Sequence, residues 1–231
     1  MTLRVLDPFY LIVDSAGWIA RLLPCGVKLV QLRIKEKPRE TVLEEIGKAK
    51  ALCAHYGAQL VVNDYWQEAI EAGCDFVHLG QDDLEHADLP AIRRAGLKLG
   101  ISTHDEAELA RALEAKPDYV ALGPIYPTLL KAMPFPPQGL PRLAEWKAII
   151  GSLPLVAIGG ITLERVKPVL EAGADSAAVV TDILRRPDPE QRTRDWVEAV
   201  QQTSKACSKG GGNSRLIRAK MLTGPRLCGL H

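Results

Sequence analysis

The run Leu29-Val30-Gln31-Leu32-Arg33-Ile34-Lys35 alternates apolar residues with an amide, a guanidinium and an ammonium. In an extended strand, side chains repeat every second residue, so Gln31, Arg33 and Lys35 share one face while Val30, Leu32 and Ile34 share the other. The polar face suits a phosphorylated ligand, because arginine offers a planar fork to phosphate and lysine a compact charge. A solvated strand end is the plainer explanation, but three such residues in register weigh against it. Asn63-Asp64 follow Val61-Val62, and Gln81-Asp82-Asp83 follow Leu79-Gly80. Carboxylates without thiolates or paired histidines nearby suit Mg²⁺, which commonly bridges to a substrate's phosphates. Either Asp82 or Asp83 alone is equally explained as a helix cap.

Further polar residues close other apolar runs. Ser102 follows Leu99-Gly100-Ile101, and Thr128 and Lys131 lie on a proline-rich segment between Gly123 and Gly139. Prolines there forbid a regular helix and predict a long loop of the kind that often forms a lid. Gly159-Gly160 and Val180-Thr181 close two late apolar runs, where glycines and backbone amides suit a phosphate. His78 and His104 read as hydrogen-bonded structural residues, and the tryptophans as packing residues.

The elements that must position these groups follow one rhythm. Strands are predicted near Phe9–Val13, Leu29–Arg33, Gln59–Val62, Phe76–Leu79, Lys98–Ile101, Tyr119–Leu122, Leu155–Ile158 and Ser176–Val180. They are short and continuously apolar, and helical patterns separate them, which implies βαβ units and a parallel sheet. Val42, Leu43, Ile46, Ala49 and Cys53 fall on one helical face. Thr103 and Glu106 have the spacing of a capping box, and Gly73 and Gly173 stand where helices end in a left-handed turn. The predicted fold class is α/β, a single (β/α)₈ TIM barrel over residues 1–203, with its chemistry at the C-terminal strand ends. A doubly wound open sheet is the alternative. Residues 204–231, glycine-rich and basic, are expected to form a disordered tail.

Composition limits the partners. The chain has 231 residues, 47% hydrophobic and 25% charged, with a formal net charge of +1. That balance argues against nucleic acid or a membrane surface as partner and leaves small molecules, with a homo-oligomer neither required nor excluded. Five scattered cysteines without a C-x-x-C pair suggest reduced thiols in the cytoplasm, and no secretory signal is evident at the N-terminus.

Taken together, Gln31–Lys35, Asn63-Asp64-Tyr65-Trp66, His78–Leu84 and Leu99–His104 resemble the thiamine phosphate synthase family, in its proteobacterial form. The likeness continues through Ala121–Thr128, Pro137–Leu140 and Ala157–Ile161, and spans roughly residues 9 to 203. It implies a Mg²⁺-dependent transferase that condenses hydroxymethylpyrimidine diphosphate with hydroxyethylthiazole phosphate and releases pyrophosphate. It further implies that Gln31, Leu32, Arg33, Ile34, Lys35, Asn63, Ser102 and Lys131 meet the pyrimidine diphosphate. Arg33, Lys35, Lys131 and Ser102 would serve catalysis, and Asp64 and Asp83 would hold the metal. Thr128, Leu129, Leu130, Gly160, Val180 and Thr181 would meet the thiazole phosphate. A thiazole tautomerase or regulatory relative, and a non-catalytic assembly protein using the barrel as scaffold, are the alternatives. The family's loop reads Pro-Thr-x-Thr-Lys, whereas this chain has Leu130 at the second threonine. Restoring a hydroxyl by Leu130→Thr is expected to tighten thiazole phosphate binding by about 0.5–1.5 kcal/mol, the worth of one hydrogen bond. An unchanged KM for that substrate would contradict this.

Overall fold

The computed structural model describes residues 6–128 and 135–210, with backbone only over 204–210. Its eight strands are β1 (Phe9–Val13), β2 (Leu29–Leu32), β3 (Gln59–Asn63), β4 (Phe76–Leu79), β5 (Lys98–Thr103), β6 (Tyr119–Leu122), β7 (Leu155–Ile158) and β8 (Ser176–Val179). All pair in parallel and in chain order. The sheet closes where β1 meets β8, with Phe9 opposite Ala177 and Leu11 opposite Val179. That closure rules out the open doubly wound sheet and gives the expected (β/α)₈ barrel.

Helices fill the connections: α1 (Ala16–Leu22), α2 (Arg39–Tyr56), α3 (Trp66–Glu71), α4 (Gln81–His86) and α5 (Leu89–Arg94), then α6 (Glu106–Glu114), α7 (Gly139–Ile150), α8 (Leu163–Glu171), α9 (Thr181–Leu184) and α10 (Pro189–Gly210). Strand alternation splits the apolar residues between two cores. Leu11, Val30, Val77 and Val120 face outward and pack with helix residues such as Ile19, Ile46, Trp146 and Trp196. Tyr10, Ile12, Val61, Phe76, Tyr119 and Val156 fill the interior, so the barrel is packed rather than hollow.

Local signals held with one correction. Val42, Ile46, Ala49 and Cys53 form the buried face of α2, with Leu43 at its edge. Gly73 and Gly173 follow α3 and α8 with positive φ, as the turn chemistry requires. The capping box does not begin at Thr103. Strand β5 runs through that residue, and its hydroxyl donates to the Ala121 carbonyl while accepting from Trp146 Nε1. Asp105 is the cap instead, accepting from Glu108 N, while Glu108 accepts from His104 N. A ladder partner and a buried indole outcompeted the local cap. At the other end of the chain, α10 remains helical to Gly210, past the point at 204 where the sequence pattern fades.

Candidate active site

The mouth is built from strand ends, beginning with β2. Gln31 is buried in the interior and its Nε2 donates to the Tyr10 hydroxyl at 3.0 Å. Arg33 N donates to Val13 O at 2.8 Å, which carries the pairing one residue past the strand and sets the exposed Arg33 side chain at the rim. Leu32 and Ile34 are buried in the outer core, so only their main chain is open to a ligand. Lys35 forms a close ion pair with Asp64.

Asp64 adopts φ of 64°, an uncommon conformation for a non-glycine residue, and its amide donates to His78 O at 2.9 Å. The turn brings its carboxyl to that of Asp83, in the first turn of α4, and the two share a hydrogen bond. Burial raises the Asp83 carboxyl above its ordinary value, and the Asp64 charge and hydrogen bond raise it further, while Lys35 and the Gly80 amide oppose the rise. Asp82 is exposed beside this pair. Asn63 is buried just before the turn, and its Nδ2 is the sole buried side-chain nitrogen or oxygen without a partner among the described residues. An unmet buried donor is costly, and a ligand acceptor would relieve it.

Ser102 stands at the end of β5. Its carbonyl accepts from Gln81 Nε2 at 2.7 Å, and its Oγ lies 2.8 Å from His78 Nε2. Arg111 Nε in turn donates to Gln81 Oε1 at 3.2 Å. His78 is thus the buried, hydrogen-bonded residue that its place at a strand end suggested, and through Nε2 it reaches Ser102 at the mouth. Burial lowers its pKa to about 4, with Arg33 adding to the fall and Asp64 opposing it, so the ring is neutral near pH 7.

Across the barrel, Gly159 and Gly160 take φ of 97° and 65°. A Cβ on Gly160 would lie 2.4 Å from the Pro127 carbonyl oxygen, so only glycine lets this turn pack against the segment before Thr128. Arg165 fastens the two together, donating to Gly160 O at 2.8 Å and lying 4.5 Å over the Tyr126 ring. Val180 and Thr181 are half-buried at the end of β8. Leu129, Leu130 and Lys131 lie outside the described residues, as does part of the predicted lid.

The structure thus divides the mouth into a charged half on β2 to β5 and a glycine-lined half on β7 and β8. A family model described as thiamine monophosphate synthase matches residues 9–183, which include both halves. The chain belongs to that family. The thiamine-phosphate synthase of Rhizobium etli is 67% identical over 195 residues, covering 84% of this chain and 96% of its own. That of Serratia proteamaculans is 52% identical over 192 residues, covering 83% and 91%. A thiamine phosphate pyrophosphorylase from Pyrococcus furiosus shares the fold with a TM-score of 0.77 at 25% identity, covering 87% of this chain and 99% of its own. Thiamine phosphate synthases are transferases of thiamine biosynthesis, and this chain functions as one of them. Among the described residues, no helix is long and apolar enough to cross a membrane.

Proposed function

We propose that the charged half binds hydroxymethylpyrimidine diphosphate with Mg²⁺, and that the glycine-lined half binds hydroxyethylthiazole phosphate for condensation to thiamine monophosphate. The observation that carries this reading is the Asp64–Asp83 carboxyl pair beside Lys35. No group of three or more metal-binding side chains occurs among the described residues. Mg²⁺ does not need one, because it is commonly held by one or two carboxylates with phosphate and water oxygens completing its shell. Two facing carboxyls, one of them hard to ionise alone, fit a divalent cation.

Bound Mg²⁺ would neutralise diphosphate charge and so make diphosphate a better leaving group. Arg33 and Lys35 stand at the same rim to take the remaining charge, and Lys131 is assigned there from the family pattern. Asn63 Nδ2 and the Ser102 hydroxyl are donors for the pyrimidine diphosphate. Carbon–oxygen cleavage leaves the pyrimidine methylene electron-poor, and the thiazole nitrogen lone pair forms the new bond. The nucleophile carries no proton on that nitrogen, so the step needs no protein base. Neutral, fully bonded His78 accords with that. The unpaired buried thiols Cys25, Cys53 and Cys74 support a reducing, cytoplasmic setting.

The full chain, given both substrates and Mg²⁺, is expected to release pyrophosphate and thiamine phosphate in equal amounts. Turnover that persists undiminished in excess EDTA would overturn the metal reading. For the thiazole half, Gly160→Ala places a Cβ against Pro127 O and forces a left-handed conformation. Strain of about 1–3 kcal/mol is expected there. It should appear as a rise of about tenfold or more in thiazole phosphate KM, with pyrimidine diphosphate KM nearly constant. Equal changes in both constants would refute the division of the mouth.

A further inference from the structure

A continuous hydrogen-bond chain crosses the barrel interior beneath the mouth. Gln31 Nε2 donates to the Tyr10 oxygen at 3.0 Å, and the Tyr10 and Tyr119 hydroxyls lie 3.1 Å apart. The Tyr119 hydroxyl is 2.7 Å from His78 Nδ1, and His78 Nε2 is 2.8 Å from Ser102 Oγ. Tyr10 and Tyr119 are buried, and the imidazole stacks on the Tyr119 ring with centroids 5.5 Å apart. Gly100 makes this approach physically feasible. It lies between His78 and Tyr119 in the sheet, and a Cβ there would sit 2.1 Å from the Tyr119 ring.

The protons of the chain can be placed by elimination. Tyr10 already accepts from Gln31, and the one acceptor within reach of its own proton among the described residues is the Tyr119 oxygen. Tyr119 must then give its proton to His78 Nδ1, so that nitrogen accepts. A neutral imidazole with Nδ1 accepting carries its proton on Nε2 and donates to Ser102 Oγ. The Ser102 oxygen is thereby occupied as an acceptor, and its proton is directed away from the ring. Gln81, bonded to the Ser102 carbonyl, fixes the residue's main chain at the same time.

We propose that His78 is a positioning residue, held as its Nε2–H tautomer by the Gln31–Tyr10–Tyr119 chain, which commits the Ser102 hydroxyl to donating toward a substrate acceptor. The inference rests on the reading of Ser102 as a ligand residue given above. Reversing the chain would turn Ser102 inward as a donor to the ring and leave the substrate facing an acceptor. The chain therefore sets the sign of the hydrogen bond at the mouth, and a residue that merely filled space would not.

Two measurements test this. In full-length protein labelled with ¹⁵N-histidine, His78 is expected to show a protonated Nε2 and an unprotonated Nδ1. A proton on Nδ1 would overturn the proposal, whatever the variants do. The second is a double-mutant cycle with His78→Phe and Ser102→Ala, read as single-turnover rate after thermal unfolding has confirmed folding. Phenylalanine keeps the stack on Tyr119 and removes the donor. His78→Phe is expected to slow the wild-type background about tenfold, the worth of one well-made hydrogen bond, and the Ser102→Ala background less than twofold. Equal losses in both backgrounds would show that His78 does not act through Ser102. Ser102→Ala at the wild-type rate would instead remove Ser102 from the ligand site, a failure distinct from the wrong tautomer.

Discussion

Asp83→Asn is expected to abolish most turnover while raising the unfolding temperature of the metal-free protein. The two effects have one cause. Asp83 shares a hydrogen bond with Asp64, and its carboxyl is raised first by burial and then by the Asp64 charge. A group whose folded pKa lies above its unfolded value favours the fold at acid pH, and that stability is lost as pH rises through the folded value. At pH 7 in EDTA the raised Asp83 carboxyl therefore weakens the fold, and the neutral amide should relieve it. With Mg²⁺ the order reverses. Binding only to the folded state should raise the wild-type midpoint as Mg²⁺ is added, and the variant should respond weakly. Loss of the metal's charge stabilisation, several kcal/mol at the transition state, should lower the rate by about 10³-fold. Unfolding scans with Mg²⁺ or EDTA, paired with pyrophosphate release, test both arms. A variant that responds to Mg²⁺ as the wild type does would remove Asp83 from the metal site.

The strand ends that form the mouth were legible from one-dimensional rules. Alternation in Leu29–Lys35 separated Gln31, Arg33 and Lys35 from Leu32 and Ile34, and the structure keeps that separation. All eight strands fall within two residues of their sequence positions at each end, because short apolar runs in a parallel sheet have few alternatives. The pairing of Asp64 with Asp83 was less visible. Adjacent strands place the two residues on one rim, but the left-handed turn at Asp64 that joins their carboxyls has no glycine to announce it.

The interior chain was not legible at all. Tyr10 and Tyr119 read only as members of apolar strands and His78 as a hydrogen-bonded structural residue, and the three are far apart in sequence. Their meeting depends on register, with Gly100 opposite both His78 and Tyr119. A glycine inside a strand does signal close approach by another group, so Leu99-Gly100-Ile101 held a clue to crowding but not to the partner. Thr103 shows the same limit. Its spacing to Glu106 satisfied a local rule, yet Ala121 and Trp146 supplied tertiary partners that kept it in the strand.

Asp182 carries the second large expected effect, and it lies outside every motif read from the sequence. Its carboxylate is 2% exposed and accepts from Leu163 N at 3.0 Å and Trp196 Nε1 at 2.9 Å. Arg192 contributes two more bonds at 3.0 Å, and Arg186 one at 2.5 Å. One residue thus ties the start of α8, the short α9 and the long α10 together. Asp182→Ala would strand the Arg192 guanidinium, whose side chain is 14% exposed, together with a buried indole N–H. Breaking a buried pair from one side costs about 3–5 kcal/mol, or roughly 10 °C in unfolding temperature for a domain of this size. Asp182→Ala with Arg192→Met should lose less than Asp182→Ala alone, because no buried charge is left unpaired. A functional consequence follows from the Leu163 bond, which joins the helix after Gly160 to the residue after Thr181. Those are the two walls proposed for the thiazole phosphate, so the single variant should raise that substrate's KM more than the pyrimidine diphosphate KM. Unchanged stability would mean that α10 is held by Trp196 packing against Phe9, whose rings stack with centroids 5.5 Å apart, and not by the carboxylate.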